Sequence, residues 1–211
     1  MTPPLHATRT SKPPYHHGDL PRALVAAATR LIEDGAGAQV TLRAAAEAAG
    51  VSIAAPYRHF ESREALLAAV LIEGFHELTQ RMEDARAAAT EPLAALAATG
   101  VAYVRFAADR PALYRLMFSP ACDKAAFPEL MDAGHASLTL LQHAVRQARP
   151  QLAITEDEVA GVALTGWSLT HGLASLYVDG LLAEACPAEA LDRLAQAMVA
   201  KLIAGLSKQT V

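Results

Sequence analysis

Aromatic residues are scarce in this chain: five phenylalanines, five tyrosines and one tryptophan among 211 residues. Alternating runs of valine, isoleucine and threonine are nearly absent, which argues against strands. There are only two cysteines, Cys122 and Cys186, too few and too far apart for a disulfide scaffold or a structural zinc site. They fit reduced thiols in a cytoplasmic protein. The first eighteen residues lack the apolar run of a signal peptide and, with four prolines and two cations, read as an extended arm. Paired carboxylates, a Ser/His/Asp set and metal-ligand spacing are all missing, so catalysis has no visible apparatus and no cofactor is implied. The adjacent His16 and His17 have only His6 as a further soft ligand nearby, which is too little for a metal site.

Long hydrophobic runs are also rare, with one exception. Val159–Val178 approaches the length of a bilayer span and contains no Asp, Glu, Lys or Arg. It nevertheless holds His171, several Ser and Thr and three glycines, and it lacks the basic flank that orients membrane spans. A buried helix is the expectation, and no membrane partner.

What the chain does have is alanine. It is 53% hydrophobic while only 5% aromatic, and alanine, the best helix former, supplies much of the difference. An all-α fold of about nine helices is therefore expected. The formal charge of −4 is distributed unevenly. Residues 1–70 hold seven Lys/Arg and six Asp/Glu together with four of the eight histidines, whereas the remainder holds eleven against sixteen. The N-terminal part is thus the less acidic one, which matters more for a polyanionic partner than the overall sign.

Cap signals divide the chain. Asp19 and Pro21 open a first helix with Leu20, Leu24, Ala28, Leu31 and Ile32 on its buried stripe, and the Gly35 region closes it. Thr41 caps a second helix ended by Gly50, Ser52 a third running to about Phe60, and Ser62 a fourth. A fifth spans roughly 92–108, a sixth starts at Pro111, and a seventh covers about 128–148, stopping at Pro150. Thr155 and Glu158 form a capping box for a helix over 156–182. The last begins at Pro187, with Leu191, Leu194, Met198, Leu202 and Leu206 along one side.

The informative unit is 41–60, "TLRAAAEAAGVSIAAPYRHF": two short helices joined by "AGVS", a helix–turn–helix. Small residues at 45, 46 and 49 allow close approach of the second helix, which Val51 and Phe60 anchor. Its exposed side carries Tyr57, Arg58 and His59, and such a helix can enter a DNA major groove. Pro56 is the oddity. Counted from Ser52 as N-cap it sits at the edge of the first turn, where proline loses one terminal bond and pushes Ala55 away from α geometry, so the helix is expected to survive slightly opened.

The run "TLRAAAEAAGVSIAAPYRHFESREALLAAV" (41–70) resembles the signature of the TetR family of bacterial transcriptional regulators, approximately T-x-R-x-I-A-x-x-A-G-V-S-x-G-x-L-Y-x-H-F-x-S-K-E-x-L. "YHHGDLPRALVAAATRLIEDG" (15–35) looks like that family's first helix. "YVRFAADRPALYRLMFSP" (103–120) and "GWSLTHGLASLYVDG" (166–180) are similar to the subgroup named for a Trp–His–Gly motif, here Trp167, His171 and Gly172. The departures are Ala45 for the family's frequent Ile, Ala54 and Pro56 for its Gly and Leu, and Arg63 for its Lys.

The resemblance implies an arm over 1–14, a DNA-binding domain over 15–62 and a ligand-binding and dimerisation domain over 63–211. It makes Thr41, Ser52, Tyr57, His59 and Arg63 phosphate-contact candidates and turns Arg43, Ala54, Ala55 and Arg58 toward the bases. Tyr15, His16 and His17 belong either to a solvated arm, the default reading, or to an arm lying near the minor groove. The alanines can touch only a thymine methyl, which leaves guanine reading to Arg43 and Arg58. The implied protein is a homodimeric, ligand-responsive repressor on a palindromic double-stranded operator, with a small apolar or amphipathic effector. A helical carrier or enzyme that merely retains the helix–turn–helix is the alternative.

The implied pocket draws on Phe75, Tyr103, Phe106, Tyr114, Met117, Phe118, Phe127, Trp167 and His171. The same spacings also describe ordinary core. Trp167 and His171 share a face at i, i+4, which suits either a pocket wall or a core pair with a hydrogen-bonded histidine.

Overall fold

The computed structural model describes residues 20–182 and 186–206. Among them are eight α-helices and no strand. The expected arm, the Asp19 cap and Tyr15, His16 and His17 lie outside the described residues.

Helix α1, Leu20–Leu31, buries Leu24, Val25, Ala27 and Ala28 and runs on into a wide turn, Ile32–Ala36. Gly35 lies inside that turn at φ 106°, a backbone setting that L side chains rarely adopt. The second helix, α2 (Leu42–Ala49), starts where Thr41 Oγ1 accepts the Ala44 N–H at 3.1 Å. It stops at Gly50, φ 71°, where the Val51 N–H reaches the Ala46 carbonyl at 3.0 Å. This is a left-handed C-cap, and it turns the chain sharply.

The expected third helix over 52–60 is not there. The segment folds as turns with one 3-10 turn, Pro56–Arg58. Pro56 has no N–H to give the Ser52 carbonyl, which takes the Ala55 N–H at 3.0 Å instead. Arg58 N–H to Ala55 at 3.3 Å and His59 N–H to Pro56 at 2.9 Å keep that short spacing, and only the last bond, Phe60 N–H to Pro56 at 2.9 Å, has the α-helical one. Ala55 nonetheless keeps right-handed helical angles, so the opening expected before the proline does not occur at that residue. The missing bond, not a displaced Ala55, is what shortens the helix. Pro56 and Phe60 are both buried and hold the turn against the core.

Ser62 Oγ accepts the Ala65 N–H at 3.1 Å and starts α3, Arg63–Ala87. Leu66, Leu67, Val70, Leu71, Phe75, Leu78 and Met82 are buried along it, the stripe the periodicity predicts. Prolines at first-turn positions, where a missing N–H is harmless, open α4 (Pro92–Asp109), α5 (Pro111–Phe118) and α6 (Pro128–Leu152). Helix α4 is the hub and packs against α3, α5, α6, α7 and α8. Gly100 lets it do so: a Cβ there would lie 3.1 Å from methyls of both Thr170 and Val199.

Helix α6 runs past Pro150 to Leu152, beyond its expected end. Proline in a last turn forfeits one backbone bond, and the fully buried Leu152 anchors the segment beyond it. Helix α7 is shorter than expected, Val159–Val178. Only half of the capping box forms. Glu158 accepts the Thr155 N–H at 2.7 Å, but Thr155 Oγ1 donates to the same carboxylate at 2.9 Å instead of accepting from the backbone. Helix α8, Ala188–Leu206, packs on α4 and α7 through Leu191, Ala195 and Val199. Among the described residues no helix is long and apolar enough to cross a membrane.

Two parts share one core. A head of α1, α2 and the 3-10 turn sits on the start of α3, and α5 packs on the turns that join α1 to α2. The body consists of α3 to α8.

Candidate functional site

On the head, the buried pair Pro56 and Phe60 leaves the rest of the turn facing outward. Ser52, Ile53, Ala54, Tyr57, Arg58 and His59 are exposed, and Tyr57 reaches 61%. Ala55 is half-buried. Across the turn, Arg43 stands on the outer face of α2, its Nε 2.9 Å from Glu47. Thr41 is exposed, although its hydroxyl oxygen is engaged as the cap.

Arg63 has a structural role. Its Nε donates to the Val40 carbonyl at 3.1 Å, Nη2 donates to the Ala38 carbonyl, and Nη1 to Glu64 at 3.0 Å. The guanidinium therefore ties the start of α3 to the chain entering α2. Ile53, which the motif pattern does not single out, is 46% exposed beside Ala54. A single exposed aliphatic residue is ordinary on a protein surface, and nothing in the sequence marks it.

In the body, helices α3 to α8 enclose a cavity of about 430 Å³. Of the candidates, Phe75, Tyr103, Met117, Phe118 and Trp167 line it. The Phe75 and Phe118 rings meet edge to face with centroids 5.7 Å apart. His171 and Tyr114 stand one layer back: both the Tyr103 and Tyr114 hydroxyls lie 2.8 Å from His171 Nδ1. With the imidazole proton on Nε2, Nδ1 offers one lone pair, and the second hydroxyl turns to Ser175 Oγ at 3.3 Å or the His171 carbonyl at 3.4 Å. Burial holds the imidazole below its ordinary range and pushes both phenols up, so the cluster is neutral at pH 7. Trp167 Nε1 donates to Tyr103 Oη at 3.4 Å and so joins the cavity wall to this cluster.

Phe106 and Phe127 are not brought into the cavity. Phe106 is fully buried in the core, with the Arg81 guanidinium 5.6 Å from its ring centroid. Phe127 is half-buried at the start of α6. Much of the remaining wall is aliphatic, including Met82, Leu96, Leu130, Leu138, Val162 and Ile203. Nothing in the spacing of such residues separates a cavity wall from a filled core, because both are apolar stripes on packed helices. Lys124, from the short turn between α5 and α6, also lines it, and its charge was a legible signal. Among the described residues no group of three or more His, Cys, Asp or Glu is placed to hold a metal ion.

Two family profiles match the chain. Residues 24–70 match the bacterial regulatory proteins of the tetR family, and residues 96–202 match the tetracyclin repressor-like C-terminal domain. The C-terminal match carries that description and not the Trp–His–Gly one. No curated protein matches the chain. Among solved structures, a protein of unknown function from Rhodococcus sp. RHA1 is 35% identical, with 93% of this chain and 100% of that one covered at a TM-score of 0.79. FadR from Bacillus subtilis, solved in complex with stearoyl-CoA, is 16% identical with a TM-score of 0.70 over 87% of this chain and 98% of that one. The regulator PfmR from Thermus thermophilus is 19% identical with a TM-score of 0.65, covering 86% and 97%. With both profiles in chain order, the chain belongs to the TetR family of bacterial transcriptional regulators.

Proposed function

We propose that this protein is a ligand-responsive repressor that binds a palindromic operator as a homodimer in the cytoplasm. The observation that carries the reading is the exposed rim of Ser52, Tyr57, Arg58 and His59, held outward by two buried anchors at one end of the molecule. Hydroxyl and imidazole groups suit phosphate oxygens, while Arg58 and Arg43 have the forked donors that recognise a guanine edge. Ile53 and Ala54 offer only apolar contact, which fits a thymine methyl. Arg63 serves DNA binding indirectly, by fixing the entrance to α2.

A dimer is supported by the outer face of α7. Leu164 and Leu176 are 52% and 45% exposed, on a stripe that also holds Gly161, Ser168 and Gly172. On α8, Ala197, Ala200 and Ala204 are exposed at matching spacing. A two-fold axis through these faces would bury the leucines and pair the small residues. Two heads would then address half-sites about one helical turn (~34–36 Å) or more apart. An effector in the body represses DNA binding only if it prefers a head spacing that differs from the operator's.

The test is binding to a palindromic fragment selected from random DNA, followed across salt concentration. A palindrome should emerge, and log K should fall by about 0.9 per phosphate neutralised for each tenfold rise in salt. Salt-insensitive or undetectable binding to every fragment would reject the repressor reading.

A further inference from the structure

Among the described residues that line the cavity, Lys124 alone carries a fixed charge. It comes from the short turn Lys124–Ala126, and its Nζ donates to the Ser119 carbonyl at 2.7 Å. An ammonium has three donors, so two remain. Among the described residues it has no carboxylate partner. Its neighbour Asp123 is exposed and occupied instead as a cap, its Oδ1 accepting the Ala125 N–H at 3.2 Å. Phe118, Leu130 and Met131 share the wall with Lys124, and the exposed His135 on α6 also lines it.

Half-buried Lys124 stands beside apolar walls with no carboxylate partner among the described residues, and an anion seated there would take a charge-assisted hydrogen bond from it. A single lysine supplies one charge. It suits a monovalent carboxylate better than a phosphate monoester, whose charge of about −1.5 to −2 at pH 7 calls for arginines or a cluster of donors. The rest of the wall offers aromatic and aliphatic surface, and a volume of about 430 Å³ lies within the range of about 300–1,000 Å³ typical of small-molecule pockets. We propose that the effector is a monocarboxylic acid with an apolar body, its carboxylate held by Lys124 and its body lying against Phe75, Phe118 and Trp167. The proposal rests on the reading of this cavity as the effector site.

Trp167 provides the readout, because it is the one tryptophan of the chain and it lines the cavity. Full-length protein would be titrated with decanoate and 4-phenylbutyrate, the corresponding neutral alcohols, and decyl phosphate, following tryptophan emission. Both shapes of acid are included so that the outcome does not depend on the fit of one chain. At least one acid should bind more tightly than its alcohol. Lys124→Met should weaken that acid by roughly 10–100-fold, the loss of a charge-assisted hydrogen bond, while leaving the alcohol unchanged. Lys124→Arg should retain most of the affinity, and equal circular dichroism of the variants confirms the fold.

Acids and alcohols binding alike, with Lys124→Met silent, would overturn the carboxylate while leaving the cavity an effector site. Decyl phosphate binding more tightly than either acid would overturn it in favour of a more highly charged ligand. If neither acids nor alcohols change the emission or release DNA, the cavity reading itself fails.

Discussion

Head and body solve opposite problems with the same element. In the head, six of nine consecutive residues from Ser52 to Phe60 are left in solvent, and two buried side chains hold them there. In the body the helices turn their apolar faces inward and yet fail to fill the space between them, leaving the cavity. On the proposed reading, function in the head lies in what protrudes, and in the body in what is missing. Substitutions should therefore separate cleanly. Changes to the body should alter stability and ligand response, and changes to the exposed side chains of the head should alter DNA recognition at nearly constant stability.

The largest effect is expected from the core that both parts share. Phe106→Ala removes a fully buried ring and should cost about 3–5 kcal/mol in a urea titration, without changing which DNA the surviving folded fraction prefers. A change in preference would break the separation. Next, Arg58→Ala should lose about 1–3 kcal/mol of operator discrimination, with an unchanged melting temperature. If specificity stays intact, base reading belongs to Arg43. Gly50→Ala places a side chain at φ 71° and should cost about 1–2 kcal/mol in stability while weakening operator binding through the displaced turn.

Smaller and more diagnostic is Pro56→Leu. It returns an N–H that the Ser52 carbonyl can accept, and should convert the 3-10 turn into a longer helix, seen as new amide protection at residue 56 and an altered operator preference. The smallest effect concerns pH. Burial lowers the folded-state affinity of His171 for a proton, so its unfolded form, with an ordinary value of 6.5, protonates first as pH falls. Its contribution is complete above that value and declines as pH drops toward the folded one. His171→Phe should flatten that part of the stability profile, and an unaltered profile would place the titration elsewhere.

The comparison of head and body also explains what could be read from the residues. The head was legible because its motif joins side chains whose chemistry is conspicuous, Tyr57, Arg58 and His59, to caps whose geometry is local, Thr41 with Ala44 and Ser62 with Ala65. The shortened third helix was not, since whether one lost bond trims a helix or ends it depends on neighbouring packing. Leu194 shows the same limit in the body: it sits on the apolar side of α8 but packs inward against the cluster of Val101, Val104 and Leu173. The dimer reading is tested instead at the exposed Leu164 and Leu176, where a charge should yield monomers without harming a subunit's interior. Phe106 and Phe118 both read as apolar helix residues, and only the meeting of distant helices makes one core and the other wall.

Clamped by Arg63, α3 would act as a lever if an effector tilted it. Twenty-five residues make a rod about 37 Å long, with Met82 in the cavity wall toward one end and the guanidinium clamp on the carbonyls of Ala38 and Val40 at the other. A tilt of roughly 5° about the Met82 end would swing the clamped end by about 2–3 Å, close to the rise of about 3.4 Å that separates successive bases along a strand. A tilt that moves Phe75, also in the cavity wall, by only about 1 Å could in this way amount to most of a base pair where the head meets DNA.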